Sequence, residues 1–423
     1  MITSRRTVDL IVVGAGAAGL ATAIFAARSA PPLAVVCLDG ARRVGAKILV
    51  SGGARCNVTN RIVTEQDFWG GSSRTVKRVL RAFPAADATR FFESLGVALH
   101  EEEDGKLFPD TNSARTVLDA LLAEVDRLGI GIDTRARVTD VARREHTFEV
   151  HAAEAVYAAR AVALATGGRS LPKSGSDGFG YQLAMRCGHR CVDTTPALAP
   201  LLLGNGPHAQ LSGVAHPAAL SVRLDGRLAV RLTGAMLWTH FGASGPVVLN
   251  ASRHWHRGIL EGHAVGVTLN VMPEHTFESA DAWLQRMALE RPRASPRSVL
   301  ASALPTAVAD TWVAAAGLAS GVTLAHLSRE ERRRLSRLLV ETELDVQGSR
   351  GYGHAEVTAG GIPLEEIDPA TMESRMCEGL YLVGEILDVD GRLGGFNFQW
   401  AWSSGYVAGR AIAAQFGETV GRT

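Results

Sequence analysis

The chain has 423 residues, 46% hydrophobic and 21% charged, enough apolar material for two or three domains of a globular protein with a large core. Lys and Arg number 44 against 43 Asp and Glu, a formal net charge of +1, so no global field selects nucleic acid or a membrane surface as partner. The five cysteines, Cys37, Cys56, Cys187, Cys191 and Cys377, are odd in number and thinly spread, which argues against a disulfide framework and fits a reducing, cytoplasmic setting.

Ser4-Arg5-Arg6 before an apolar run imitates a twin-arginine export signal. That run has another use. Val8 to Leu20, VDLIVVGAGAAGL, reads as a buried strand entering Gly14, Gly16 and Gly19 and then an alanine-rich helix, with Asp9 at its edge arguing against a membrane span. Gly14 permits a tight turn, Gly16 lets backbone approach a pyrophosphate, and Gly19 lets the helix pack closely on the sheet. The phosphates are expected at the helix N-terminus, at Ala17 and Ala18, where unpaired N–H groups and the macrodipole attract anions. A second strand, Ala34 to Leu38, closes on Asp39, about twenty residues beyond the last glycine, where an acid hydrogen-bonds a ribose hydroxyl.

Gly45 to Asn60, GAKILVSGGARCNVTN, reads as a loop built for close contact. Gly52 and Gly53 allow amides to face a ligand, while Lys47, Ser51 and Asn57 supply donors for phosphate, ribityl or ring oxygens. Cys56, flanked by Arg55, is either a small core residue or a proton donor. Arg74 to Leu95 predicts two packing helices interrupted near Pro84, and a further helix is expected from about Ser113 to Leu128. Strands follow at Ile130 to Ile132 and Ala136 to Val141, then a small antiparallel excursion of Thr147 to Val150 with Ala155 to Tyr157. Arg160 to Ala165 is a fully buried strand ending on Thr166, Gly167 and Gly168, at the carboxyl end where open α/β sheets bind ligands.

Ser174 to Tyr181 is a glycine-rich turn into a helix through Arg186, and Cys187 and Cys191 resemble half a metal site that nothing completes. From Pro196 strands dominate, including a hairpin about Asp225-Gly226, Met236 to Asn250 and Ala264 to Val271. Helices return at Ser279 to Leu289, Thr306 to Ala315 and Ser328 to Val340. The last carries Arg329, Arg332, Arg333, Arg334 and Arg337, either a solvated, ion-paired face or a groove for a polyanion. The α/β style resumes at Ala355. Strand Leu380 to Val383 runs into Gly384, Glu385 and Asp388, then Gly394, Gly395, Phe396, Asn397 and Gln399, and a helix is expected from Trp400 to about Phe416. Two anion-receptive turns far apart in sequence suit FAD, whose pyrophosphate takes one while a second helix N-terminus faces the ring's N1–C2 carbonyl region. Asp388 or Glu385 is expected on the ribityl hydroxyls.

With both ends read, the sequence resembles the BaiN/RdsA (YhiN-type) family of FAD-dependent oxidoreductases nearly end to end. The likeness rests on GAGAAGL at 14–20, KILVSGGARCNVTN at 47–60, ATGG at 165–168, GSDGFGY at 175–181, PALAPL at 196–201, THFGASGP at 239–246, VTAGGI at 357–362, TMESR at 371–375 and GLYLVGEILDVDGRLGGFNFQWAWSSG at 379–405. Asp39 stands where the family usually has glutamate, and Ala54 where it usually has glycine. The resemblance implies an α/β fold: a discontinuous Rossmann-type FAD-binding domain from residues 1–194 and 354–423, with an inserted β-barrel domain at 195–353 whose helical subdomain spans about 278–342. It adds Val138 to the expected cofactor contacts. It implies flavin hydride chemistry through N5 with NAD(P)H as a transient donor, since only one GxGxxG unit is present. Family activities include reduction of a uridine in 23S ribosomal RNA to dihydrouridine, reduction of bile-acid intermediates and oxidation of an aminoketone. Cys56 is the candidate proton donor, a small amine or enoyl-type metabolite the alternative substrate, and a non-catalytic FAD-binding interaction module the rival of another class.

Overall fold

A computed structural model describes residues 5–30, 32–153 and 155–420, with the side chains of 418–420 excepted; Ser4 of the Ser4-Arg5-Arg6 start lies outside them. Two compact units divide the chain, one of residues 1–194 and 356–423, the other of residues 195–355.

The first unit is built on a seven-stranded sheet. In space its strands run β3 (Gly131–Asp133), β2 (Val35–Leu38), β1 (Arg5–Val13) and β6 (Ala155–Leu164). All of these pairings are parallel. The long β6 then serves two neighbours: its first half pairs antiparallel with β5 (Thr147–Ala152), and its last three residues pair parallel with β7 (Leu380–Leu382). Outermost, β4 (Val138–Arg144) pairs with β5. The excursion strand and the buried strand expected separately are therefore one strand, because a ten-residue run can be half-covered at one end and sealed at the other.

β1 and β2 are joined through helix α1 (Ala17–Ser29), nearly all of which is buried. Its small residues let the C-terminal helix, here α4 (Phe396–Val420), cross it closely: an ideal Cβ on Gly405 would stand 2.8 Å from Ala21 Cβ, and one on Gly409 2.7 Å from Thr22 O. α4 begins a turn earlier than its apolar pattern predicts. Pro84 caps the second of two helices, Ser73–Ala82 and Ala85–Ser94, whose Phe83 and Phe91 gather with Phe25 and Tyr406. Sealing side chains of that size away from water stabilises by roughly 1.5–3 kcal/mol each.

The second unit carries a seven-stranded antiparallel sheet. Its two edge strands, Thr342–Leu344 and Val346–Ser349, are separated in sequence by Asp345 alone, so the sheet must curl until its edges come near each other, as in an open barrel. The hairpin at Asp225-Gly226 forms with both residues at positive φ, 50° and 79°, the geometry whose twist suits a two-residue loop. One expectation fails here. Residues 246–250, read as strand, open a helix, Pro246–Leu260. Pro246 at the first helical turn suits its missing N–H, and burial of Val247, Val248 and Ala251 on one face outweighs β-branched propensity. Four further helices, Phe277–Glu290, Pro296–Leu300, Thr306–Ala315 and Arg329–Val340, lie in this unit.

Candidate functional site

At the end of β1, the Gly14 N–H donates to Leu38 O and the chain turns with φ +100°. An ideal Cβ on Gly14 would stand 2.5 Å from Ala165 O, and one on Gly19 1.9 Å from Gly14 O, so both glycines are required by packing. Gly16 differs: an ideal Cβ there meets nothing within 4 Å. It caps α1 and, as glycine, supplies no side-chain hydrogen bond to the N–H groups of the first turn. Asp39 Oδ2 accepts from Ala15 N–H and Oδ1 from Ala41 N–H, both at 2.8 Å, and each oxygen retains a second lone pair for a hydroxyl. Ala136 N–H donates to Asp39 O, two residues before the buried Val138 at the start of β4.

The turn after β6 lies against the first: Gly14 abuts Ala165 and Thr166. Gly167 turns at φ +70° with Ser176 Oγ 2.5 Å from its ideal Cβ, and Gly168 is as close to Thr358 Oγ1. Beyond it Lys47 forms an ion pair with Glu385 Oε2 and donates to Ser170 Oγ, which in turn donates to Glu385 Oε1 at 2.8 Å. Thr358 N–H donates to the same oxygen at 2.9 Å. Glu385 and Lys47, both expected on the cofactor, thus hold each other. Sequence reasoning missed Ser170 and Thr358. Their signal was position, just past ATGG and inside VTAGGI.

The loop of Lys47 is helical at first, as α2 (Ala46–Ala54), then breaks at Ser51 with ψ 149°, and Gly52, Gly53 and Ala54 follow at φ 54°, 68° and 66°. Ala54 therefore holds a left-handed conformation that glycine adopts without penalty. Arg55 points away: its guanidinium lies 4.1 Å from the Phe108 ring centroid and donates to Glu102 at 2.6 Å. Cys56 is fully buried, and burial pushes its thiol up to about 12 against a small opposing hydrogen bond with Ser51. Next to it, the buried Asn57 Oδ1 has no hydrogen-bond partner in the protein, an unusual state for a buried acceptor.

Asn57 meets the other end of the chain. An ideal Cβ on Gly395, at φ +90°, would lie 2.9 Å from Asn57 Oδ1 and 2.5 Å from Thr59 O. Gly384 turns at φ +73° against Ala18, 2.7 Å from its ideal Cβ to Ala18 Cβ, and its N–H donates to Ser404 Oγ. The side chains around the α4 start are internally engaged. Asn397 pairs both amide ends with the Gly391 backbone at 2.8 Å, and Gln399 accepts from Thr59 Oγ1 while donating to Phe83 O and Ser403 Oγ. Phe396 is buried beneath the Arg392 guanidinium. What this turn offers a ligand is its backbone and the helix N-terminus.

In the second unit, the arginines of helix Arg329–Val340 are largely engaged at home. Arg332 pairs with Asp281 at 2.8 Å, Arg334 donates to Ala316 O, and Arg333 and Arg337 lie over Phe277. Of these, Arg332 is ion-paired, and the others named are held by backbone or ring contacts. Among the described residues no helix is long and apolar enough to cross a membrane.

The family described as HI0933-like protein Rossmann domain matches residues 8–411. Among curated proteins, a 3-dehydro-bile acid delta(4,6)-reductase of Clostridium scindens is 33% identical over 402 residues, 95% of this chain and 98% of that protein. The ribosomal RNA dihydrouridine synthase of Escherichia coli is 32% identical over 409 residues, 96% and 98% of the two chains. That of Haemophilus influenzae is likewise 32% identical, over 411 residues, with the same coverage. Among solved structures, a mutant E. coli quinol fumarate reductase FrdA aligns with a TM-score of 0.51 at 15% identity, covering 99% of this chain and 72% of that one, a likeness of fold.

Proposed function

The chain belongs to the HI0933-like family of FAD-dependent oxidoreductases, and from that premise we propose that it reduces a C=C bond conjugated to a carbonyl, with NAD(P)H as electron donor. The substrate in this reading is a uridine of 23S ribosomal RNA, converted to dihydrouridine in the cytoplasm. Relatives named as ribosomal RNA dihydrouridine synthases support it across 96% of the chain. The reductase of bile acids acts, by its name, on the same kind of bond.

The single observation that carries the chemistry is the meeting of Asn57 with Gly395 beside Cys56. A buried acceptor left unpaired by the protein, next to a helix N-terminus, fits the pyrimidine edge of a flavin, which offers an N–H between two carbonyls. Open space over Gly16 fits a pyrophosphate. FAD bound there would supply hydride transfer from a nicotinamide to the substrate. The protein's part is position and a proton. Gly14, Gly16, Ala17, Ala18, Gly19, Asp39 and Val138 would hold the adenosine diphosphate end, and Thr166, Gly167, Gly168, Gly384, Glu385 and Asp388 the middle. Lys47, Ser51, Gly52, Gly53, Asn57, Gly395, Phe396, Asn397 and Gln399 would shape the ring end, several of them through backbone or through the bonds that fix the turn. Cys56, kept protonated by burial, would give its proton to the carbon beside the one that receives hydride.

A second reading, a small enoyl-type metabolite, is favoured by the internal pairing of the basic helix and by a net charge of +1, neither of which serves a polyanion. Deleting the gene in its host and measuring dihydrouridine in 23S RNA by mass spectrometry separates the two: loss of the nucleoside supports the RNA reading, an unchanged profile removes it. Purified protein should be yellow and bleached anaerobically by NADH or NADPH; bound FAD that neither reduces would leave a binding module instead of an enzyme. Cys56→Ala should keep FAD and its reduction by NAD(P)H while slowing substrate turnover roughly a hundred-fold to ten-thousand-fold. Unslowed turnover removes Cys56 as the acid.

A further inference from the structure

Helix α3 (Phe179–Arg186) ends on Cys187, and the loop before β7 carries Cys377. Spacing alone puts Cys187 with Cys191, but in the fold the Cys187 and Cys377 thiols are neighbours that act on each other, and Cys187 Sγ also donates to Val141 O at 3.8 Å. The two segments meet next to the cysteines, since an ideal Cβ on Gly188 would stand 3.7 Å from Met376 Cβ. Both cysteines are half-buried, whereas Cys37 and Cys56 are sealed.

A buried network braces the pair from both sides. His189, its side chain fully buried, meets Glu366 Oε2 through Nδ1 and Ser374 Oγ through Nε2, each at 2.8 Å. Ser374 Oγ also accepts from Met376 N–H at 3.0 Å and Cys377 N–H at 2.9 Å, so one hydroxyl ties the segment after Cys187 to the segment holding Cys377. Burial would raise the Glu366 carboxyl, but hydrogen bonds from His189 and Arg190 outweigh it and hold it below the usual carboxylate range. The two sulfurs therefore sit on brackets fixed against each other. The neighbouring Cys187 draws the Cys377 thiol down, helped by Arg143 and opposed by burial and by Glu373 and Glu378, while Cys187 itself is held up. That division is the one a dithiol couple needs, an attacking thiolate beside a protonated partner.

We propose that Cys187 and Cys377 are a redox couple that closes to a disulfide when the protein meets a hydroperoxide. The Cys377 thiolate attacks one oxygen of hydrogen peroxide, a S–O bond forms as the O–O bond breaks, and the departing hydroxide takes up a proton to leave as water. The Cys187 sulfur then attacks the Cys377 sulfenic acid, forming S–S and breaking S–O, and its proton leaves with the hydroxyl as a second water. Two electrons pass from the dithiol to the peroxide. The bond would join α3, whose start packs on Thr166 through Gly180, to β7, which leads into Gly384. It thereby ties together the bases of two elements whose far ends form the candidate site. In a reducing compartment such a bond is transient and reversible by thiols.

The test treats the purified full-length protein with hydrogen peroxide, blocks free thiols without reductant, and maps peptides by mass spectrometry. A Cys187–Cys377 linked peptide, reversed by dithiothreitol, is expected, with Cys37 blocked only after unfolding as the check that the fold was native. Cys377→Ser should leave Cys187 an unoxidised thiol; Cys187→Ser should stop Cys377 at a sulfenic acid captured by dimedone. The proposal is overturned if both stay free thiols, if Cys191 replaces either partner in the link, or if each goes on separately to sulfinic acid without a link in the unmutated chain.

Discussion

The two glycine turns that read alike in sequence, Gly14 to Gly19 and Gly384 to Gln399, are different devices. In the first, Gly14 and Gly19 answer to the sheet, but Gly16 answers to no protein atom within 4 Å. In the second, Gly384, Gly391, Gly394 and Gly395 all face protein at 3.1 Å or less from an ideal Cβ, and the polar side chains of Asn397 and Gln399 bond their own chain. A turn that leaves space is shaped for a ligand. A turn that leaves none is shaped first for the fold, and offers a ligand only what the backbone projects.

That contrast can be broken by substitution. The largest effects separate the turns. Gly16→Val should abolish FAD retention, read from the absorbance of purified protein, while the melting of the protein stripped of flavin moves by no more than about 1 kcal/mol, since Gly16 has extended backbone and open space around it. Full flavin occupancy would contradict the space argument. Gly395→Ala should do the reverse and destabilise the chain itself by about 3–5 kcal/mol in denaturant melts, the sum of a left-handed alanine and a methyl group driven into the Thr59 backbone. A loss below about 1 kcal/mol would show that the second turn yields easily.

A milder loss is expected at Asp39→Asn. Its amide can accept only one of the two N–H groups at Ala15 and Ala41 and presents a donor to the other, which costs about 1–3 kcal/mol of stability and weakens FAD less than Gly16→Val does. A titration showing the opposite order would break the ranking. The smallest change is a gain: Ala54→Gly relieves the strained φ of 66°, offset by glycine's greater freedom when unfolded, and should raise stability by up to about 1 kcal/mol. A lower melting temperature in that variant would mean that the methyl group packs usefully in the cysteine loop.

What could be read from the residues alone were features whose cause is local. Strand, glycine turn, helix and acid from Val8 to Asp39 follow one another within a single supersecondary unit, and Asp225-Gly226 declares a hairpin because two adjacent residues accept positive φ. Helix Thr306–Ala315 was legible for the same reason, its period being contained in its own ten residues. Residues 246–250 misled because a short apolar run has no period of its own, and only the face it buries decides between strand and helix.

The site's chemistry was decided by contacts between segments that no spacing rule connects. Thr59 and Gln399 bond across 340 residues, Lys47 and Ser170 close on Glu385, and Asn57 comes to Gly395 with its acceptor unpaired. Cys187 turns from its neighbour Cys191 to Cys377. Residue type along the chain therefore determined that a nucleotide-binding α/β unit would form and which side chains could serve it. Which of them face a ligand, and which are consumed in holding the turns, depended on packing, because a hydrogen-bonding group is committed only when the fold brings its partner within about 3 Å.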